Sequence, residues 1–268
     1  MGMANFFQKL AAEYRYASKP PEMLLTHPLP ETRISEARAR AGSYGRRDLP
    51  PSLDFWLAKV RIQVRFGTDT PQGLLSYFDS RIQKGDYPLK DAAIYGKALA
   101  LIQLKRTDEA DTLMQELAAR HPEDLFIVDA QTDIDLAKGR SAQAIARLEK
   151  FRSRMPDNEV VVVNLGNAYL ESGNYKKSIA ILDPYARAHE ENNLAWNLLA
   201  DAYRKAGRMT ELHMARAEML ALRGDYQAAI DELIVARGTT SDRMTLARLE
   251  ARITELERAK KDLDSLKG

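Results

Sequence analysis

Gly139, Gly173 and Gly207 stand 34 residues apart, and Pro122 and Pro156 repeat the same interval. A fixed step of this length is the period of a helix–turn–helix unit. Such a unit is too short to bury its own apolar stripe, but stacked neighbours bury it for one another. The period therefore points to a solenoid of helix pairs. Ala110, Ala144 and Ser178 keep the same interval, each small enough to let two helices approach closely. The glycines suit left-handed turns because they carry no Cβ. The prolines close second helices because proline cannot continue one.

The remaining residues keep this register. One copy reads Val162, Leu165-Gly166, Tyr169, Gly173, Tyr175, Ser178 and Leu182, and the next starts Trp196, Leu199-Ala200, Tyr203 and Gly207. The order of large residue, Leu-Gly, aromatic, turn glycine and small residue resembles the tetratricopeptide pattern. Two earlier copies keep phase with weaker signatures, through Ile94, Ala98 and Leu101 and through Val128, Thr132 and Gly139. Trp56 and Val60, before Gly67, suggest an opening repeat over about residues 52–84. The expected fold is all-α: a tetratricopeptide-repeat solenoid of stacked antiparallel helix pairs. After Gly207 the interval halves to Gly224, followed by Tyr226 and Ala229. The stretch 211–223 then serves as second helix of one repeat and first of the next, which predicts a changed superhelical path near 207–225. An ordinary stagger with a degenerate last repeat is the alternative. Leu246, Leu249, Ile253, Leu256, Leu263 and Leu266 follow three-four spacing, broken at Lys260. A helix capping the last repeat is preferred over a coiled-coil dimer, which needs more clean heptads.

The chain of 268 residues is 45% hydrophobic and 29% charged, enough for a sizeable core and too balanced for disorder. Its net charge is +2 and no basic stripe interleaves with aromatics, so no nucleic-acid partner is expected. Cysteine is absent, which removes disulfides and thiol catalysis and decides no compartment. No apolar stretch approaches the ~20 residues of a membrane span. The start, Met1-Gly2-Met3-Ala4, lacks the pattern of a signal peptide and reads as an added start on a piece of a longer protein.

The first fifty residues stand outside the repeat. Phe6, Phe7, Leu10, Ala11 and Tyr14 share one face of a short amphipathic helix that Pro20-Pro21 ends. A second short helix runs to about Ala41, and Gly42–Pro51 has linker composition. Between the helices lies Thr26-His27-Pro28, then four residues and Arg33-Ile34. Joined to the Phe6-Phe7 helix and to the repeats that follow, this segment resembles the Ste24- and HtpX-like zinc metallopeptidases, downstream of their zinc ligands. The resemblance implies that 1–50 is the tail of a peptidase domain plus linker, and 51–268 a tetratricopeptide-repeat domain. It further implies a periplasmic parent with zinc as cofactor, acting in outer-membrane protein assembly and quality control. Its partners would be outer-membrane assembly components and unfolded β-barrel precursors.

The departure from that family is as informative as the match. Its enzymes carry His-Glu-x-x-His on a helix, two imidazoles for zinc and a glutamate as general base. Of His27, His121, His189 and His213, none starts that motif, and His189-Glu190-Glu191-Asn192-Asn193 lacks the second histidine. This chain therefore carries no catalytic residue and no cofactor of its own. By the resemblance, His27 and Arg33 lie near the active-site cleft of the parent, His27 within reach of its zinc. In this chain His27 reads instead as a histidine on a proline-flanked loop; Arg33 reads equally as a residue that orients that loop or meets a carboxylate and as a solvated surface arginine. His121, His189 and His213 read as structural. The second candidate site is the concave surface. Counting from the repeat anchors, its first helices turn inward Tyr95, Leu99, Asp129, Asp133, Val163, Asn167, Asn197, Asp201, Arg204 and Lys205. Asn167 suits a bond to a peptide backbone, and Arg204 and Lys205 suit a carboxylate, but the aspartates make the groove mixed in sign. A stand-alone repeat adaptor with no enzymatic parent is the rival reading.

Overall fold

A computed structural model describes residues 5, 6, 8, 9, 12, 30–42 and 50–267. The chain divides into two units, residues 1–50 and 51–268. In the first, positions 5, 6, 8, 9 and 12 are helical and Phe6 is exposed; Phe7, Leu10, Ala11, Tyr14 and His27 lie outside the described residues. Helix α1 (Pro30–Gly42) follows, with an exposed Arg33 in its first turn.

The second unit is helical throughout its described length: α2 (Leu53–Phe66), α3 (Pro71–Lys84), α4 (Lys90–Gln103), α5 (Thr107–Arg120), α6 (Leu125–Ala137), α7 (Ser141–Arg152), α8 (Glu159–Glu171), α9 (Tyr175–Ala188), α10 (Asn193–Lys205), α11 (Met209–Leu222), α12 (Tyr226–Gly238) and α13 (Arg243–Lys267). Even-numbered helices from α2 to α10 are the first members of antiparallel pairs and pack on one another in sequence. The all-α repeat fold expected from the period is the one observed, including the opening pair α2–α3.

The local reasons repeat with the sequence. Asp124, Asn158 and Asn192, again 34 apart, each cap a first helix by accepting from a backbone N–H in its opening turn. Gly139, Gly173 and Gly207 take φ of 68°, 77° and 72°, and Gly224 takes 76°. The position one period before Gly139 is Lys105, at φ 58°, a left-handed turn built without glycine. Ala110, Ala144 and Ser178 are fully buried, and Ser178 Oγ donates to the Gly166 carbonyl at 2.8 Å across the closest helix approach. Tyr169 and Tyr203, also one period apart, donate to Glu149 and to Asp183 (2.7 Å) on the second helix of the preceding repeat. Burial and the nearby carboxylate push the Tyr169 hydroxyl up to about 12.

The core forms three apolar clusters along the stack: α2 to α6, α6 to α11, and α11 to α13. In the last, Leu249 and Leu256 of α13 are buried against α11 and α12, and Ile253 is partly buried. Helix α13 thus covers the end of the solenoid with a charged outer face, as a cap does. Arg252 ties it down, reaching Glu218 of α11 at 3.0 and 2.6 Å.

Candidate functional site

The concave face is lined by α2, α4, α6, α8 and α10, and the structure divides its predicted residues into two groups. Toward the N-terminal end the face is filled by its own side chains. Arg61 and Arg65 lean from α2 across α4 to α6: Arg61 pairs with Asp129, and Arg65 with Asp133 at 2.9 Å and Asp129 at 3.4 Å. Arg61 also donates to the Tyr95 hydroxyl at 3.4 Å and lies 6.0 Å from the Phe126 ring centre. Asn164 of α8 donates to Asp129 at 2.9 Å. This clasp joins helices two repeats apart.

It also corrects the sequence reading. Tyr95 is fully buried under Arg61 and cannot line an open groove. Leu99 and Val163, counted inward with it, are buried too. Burial pushes the Tyr95 hydroxyl up to about 12. The Asp133 carboxylate meets Arg65. Its enclosed position, and then the Asp129 charge, push it up to about 6. The sequence reading missed Arg61 and Arg65 because the opening repeat was assigned no concave residues. A signal existed: Arg61 and Arg65 stand two periods, 68 residues, before Asp129 and Asp133 with the same internal spacing.

Toward the C-terminal end the face is open. Asn197, Asp201 and Arg204 of α10 meet Leu212, Arg216 and Met219 of α11 around a cavity of about 220 Å³. Arg204 is held by Asp201 through two bonds, at 3.1 and 2.6 Å. Asn167, half-buried on α8, and exposed Asn197 and Lys205 make no hydrogen bond or ion pair with another described residue. This half therefore offers free amides, a lysine and a neutralised Asp–Arg pair: polar, adaptable donors and acceptors suited to an extended or helical protein segment.

The three described histidines make local contacts. His121 Nε2 lies 2.6 Å from Asp91 Oδ2, His189 stacks on Tyr185 with ring centres 4.3 Å apart, and His213 Nδ1 lies 2.5 Å from Glu232. Among the described residues, no three His, Asp or Glu side chains are grouped to hold a metal ion. With His-Glu-x-x-His absent from the sequence as well, the described residues do not fit a catalytic zinc. No described helix is long and apolar enough to cross a membrane.

Stacked helix pairs enclosing a polar concave face define a tetratricopeptide-repeat protein, and tetratricopeptide-repeat family models match residues 92–124 and 135–202. A crystal structure of a tetratricopeptide repeat protein from Parabacteroides merdae aligns at TM-score 0.49 and 12% identity, covering 96% of this chain and 100% of that one. The resemblance to a protease acting in outer-membrane assembly, read from the N-terminal segment together with the repeats, is borne out by two curated relatives. The chain is 41% identical over 261 residues to a protein of Yersinia pestis named beta-barrel assembly-enhancing protease, covering 96% of this chain and 53% of that protein. It is 36% identical over 255 residues to the protein of that name in Escherichia coli K12, covering 95% and 52%. The chain thus spans about half the length of the curated relatives it matches.

Proposed function

We propose that this chain is the protein-docking part of a periplasmic zinc metallopeptidase that assists outer-membrane β-barrel assembly. In this reading residues 1–50 are the tail of the peptidase domain with its linker, and 51–268 recruit partners. His27 and Arg33 then border the active site of the parent. The zinc and the bond-breaking residues belong to polypeptide outside this chain. What carries the reading is 36–41% identity, over at least 95% of the chain, to proteins named for enhancing β-barrel assembly. The open half of the concave face supports docking there: Asn167, Asn197, Asp201, Arg204 and Lys205 would meet assembly components or unfolded β-barrel precursors.

A photo-crosslinking residue placed at Asn197 or Lys205 of the complete protein in its own cell envelope tests this. Adducts with outer-membrane assembly proteins are expected from those positions and not from Lys150, exposed on the second-helix layer. Equal adducts from Lys150 would remove the groove from the account. A native gene whose upstream sequence lacks His-Glu-x-x-His would favour a stand-alone adaptor instead.

A further inference from the structure

A second recess lies apart from the concave face. Successive helical residues are offset by ~100°, so Trp56, Lys59 and Gln63 point away from Arg61 and Arg65 on α2. They border a cavity of about 210 Å³ between α2, α3 and the start of α4. Its floor is buried and apolar: Val60, Phe78, Ala92 and Ala93. Trp56, Tyr77 and Tyr87 wall it. At the rim stand two cations. Lys59 Nζ lies 4.5 Å from the Trp56 ring centre and has no carboxylate partner among the described residues. Arg81 lies 5.3 Å from the Tyr77 ring centre and pairs with exposed Asp86 at 3.1 Å. The first turn of α4 also lines the recess, and its cap residue, Leu89, offers no side-chain acceptor to the opening N–H groups. That leaves an uncapped helix start near the unpaired Lys59; the acid in its first turn, Asp91, is engaged by Arg120 and His121.

A cavity the size of one large side chain, with an apolar floor and an unpaired lysine at its rim beside the Arg81–Asp86 pair, matches a residue bearing one apolar side chain and one carboxylate on the same Cα. We propose that this recess binds the free C-terminus of a protein chain, taking an aromatic or branched terminal side chain against Trp56 and Tyr77 and its carboxylate at Lys59 and the start of α4.

The test uses the full chain and a fluorescein-labelled hexapeptide, Gly-Ser-Gly-Ala-Val-Phe, as free acid and as C-terminal amide, read by anisotropy. The free acid should bind at least tenfold tighter than the amide. Lys59→Glu should weaken the acid at least fivefold, Lys59→Arg should restore most of it, and Lys84→Glu, at the exposed end of α3, should leave it unchanged. Circular dichroism of each variant reports the fold. Equal affinity for acid and amide, an unaffected Lys59→Glu variant, or no binding of either peptide would overturn the assignment.

Discussion

Gly166→Ala isolates the packing that makes the stack continuous. A Cβ at this position would lie 2.5 Å from both Cγ and Cδ2 of Leu182 and 2.8 Å from its Cδ1. Leu182 is fully buried in the α6–α11 cluster, so it has no open space to retreat into. Alanine in place of a helical glycine gains about 1 kcal/mol in propensity. Over-packing a filled core costs about 1–3 kcal/mol. The clash involves the branch carbon as well as both methyls, which puts the cost at the upper end and the net loss at about 1–2 kcal/mol. Separating α8 from α9 would also stretch the buried Ser178–Gly166 hydrogen bond. Urea unfolding followed by helical circular dichroism measures the loss. Gly238→Ala is the control, since a Cβ there meets nothing within 4 Å and should be neutral or stabilising. Leu182→Ala alone costs about 2–5 kcal/mol. Combined with Gly166→Ala it should cost at least about 1 kcal/mol less than the sum, because the new methyl fills part of the space vacated. A Gly166→Ala variant as stable as the parent, or additive with Leu182→Ala, would refute the close-approach argument.

Two further substitutions probe features that the period alone does not show. Lys105→Gly should stabilise the chain: a left-handed lysine costs about 1–2 kcal/mol, against about 0.4–1 kcal/mol for the greater entropy of an unfolded glycine. Urea midpoints at unchanged slope check it, and destabilisation would show that the Lys105 side chain matters more than its backbone. Asp133→Asn should flatten the pH dependence of stability between about 4 and 6. A carboxyl held near 6 in the fold favours the protonated form, so its contribution is present below the unfolded value and is lost as pH rises through 6. With 38% of the side chain open to water, the contribution is about 1 kcal/mol after allowance for screening. Thermal melts from pH 4 to 7 read the difference, and parallel curves for parent and variant would show that the carboxyl titrates normally.

What the sequence disclosed and what it hid follow one physical divide. Features fixed by contacts within a repeat or between neighbours recur with the period, so the turn glycines, the small residues at Ala110, Ala144 and Ser178, and the capping helix were all legible. The same logic extends to signals that were present but unread, namely the helix caps at Asp124, Asn158 and Asn192. Lys105 escaped because a turn defined by its backbone angle had been sought by residue type, and lysine can occupy that angle at a cost. The groove was only half legible for a different reason. Counting inward positions identifies which side chains start toward the concave face, but not whether a longer side chain from two repeats away reaches them first. Arg61 and Arg65 do so, covering Tyr95 and engaging Asp129 and Asp133, while Asn167, Asn197 and Lys205 further along the stack have no partner among the described residues. The mixed sign read from the sequence therefore resolves in space: the charges at the N-terminal end neutralise one another, and the open end presents amides, a lysine, an Arg204 paired with Asp201, and Arg216, 3.8 Å from Glu232. In the docking role proposed above, a face arranged this way would meet the hydrogen-bonding backbone of a partner more than its charge.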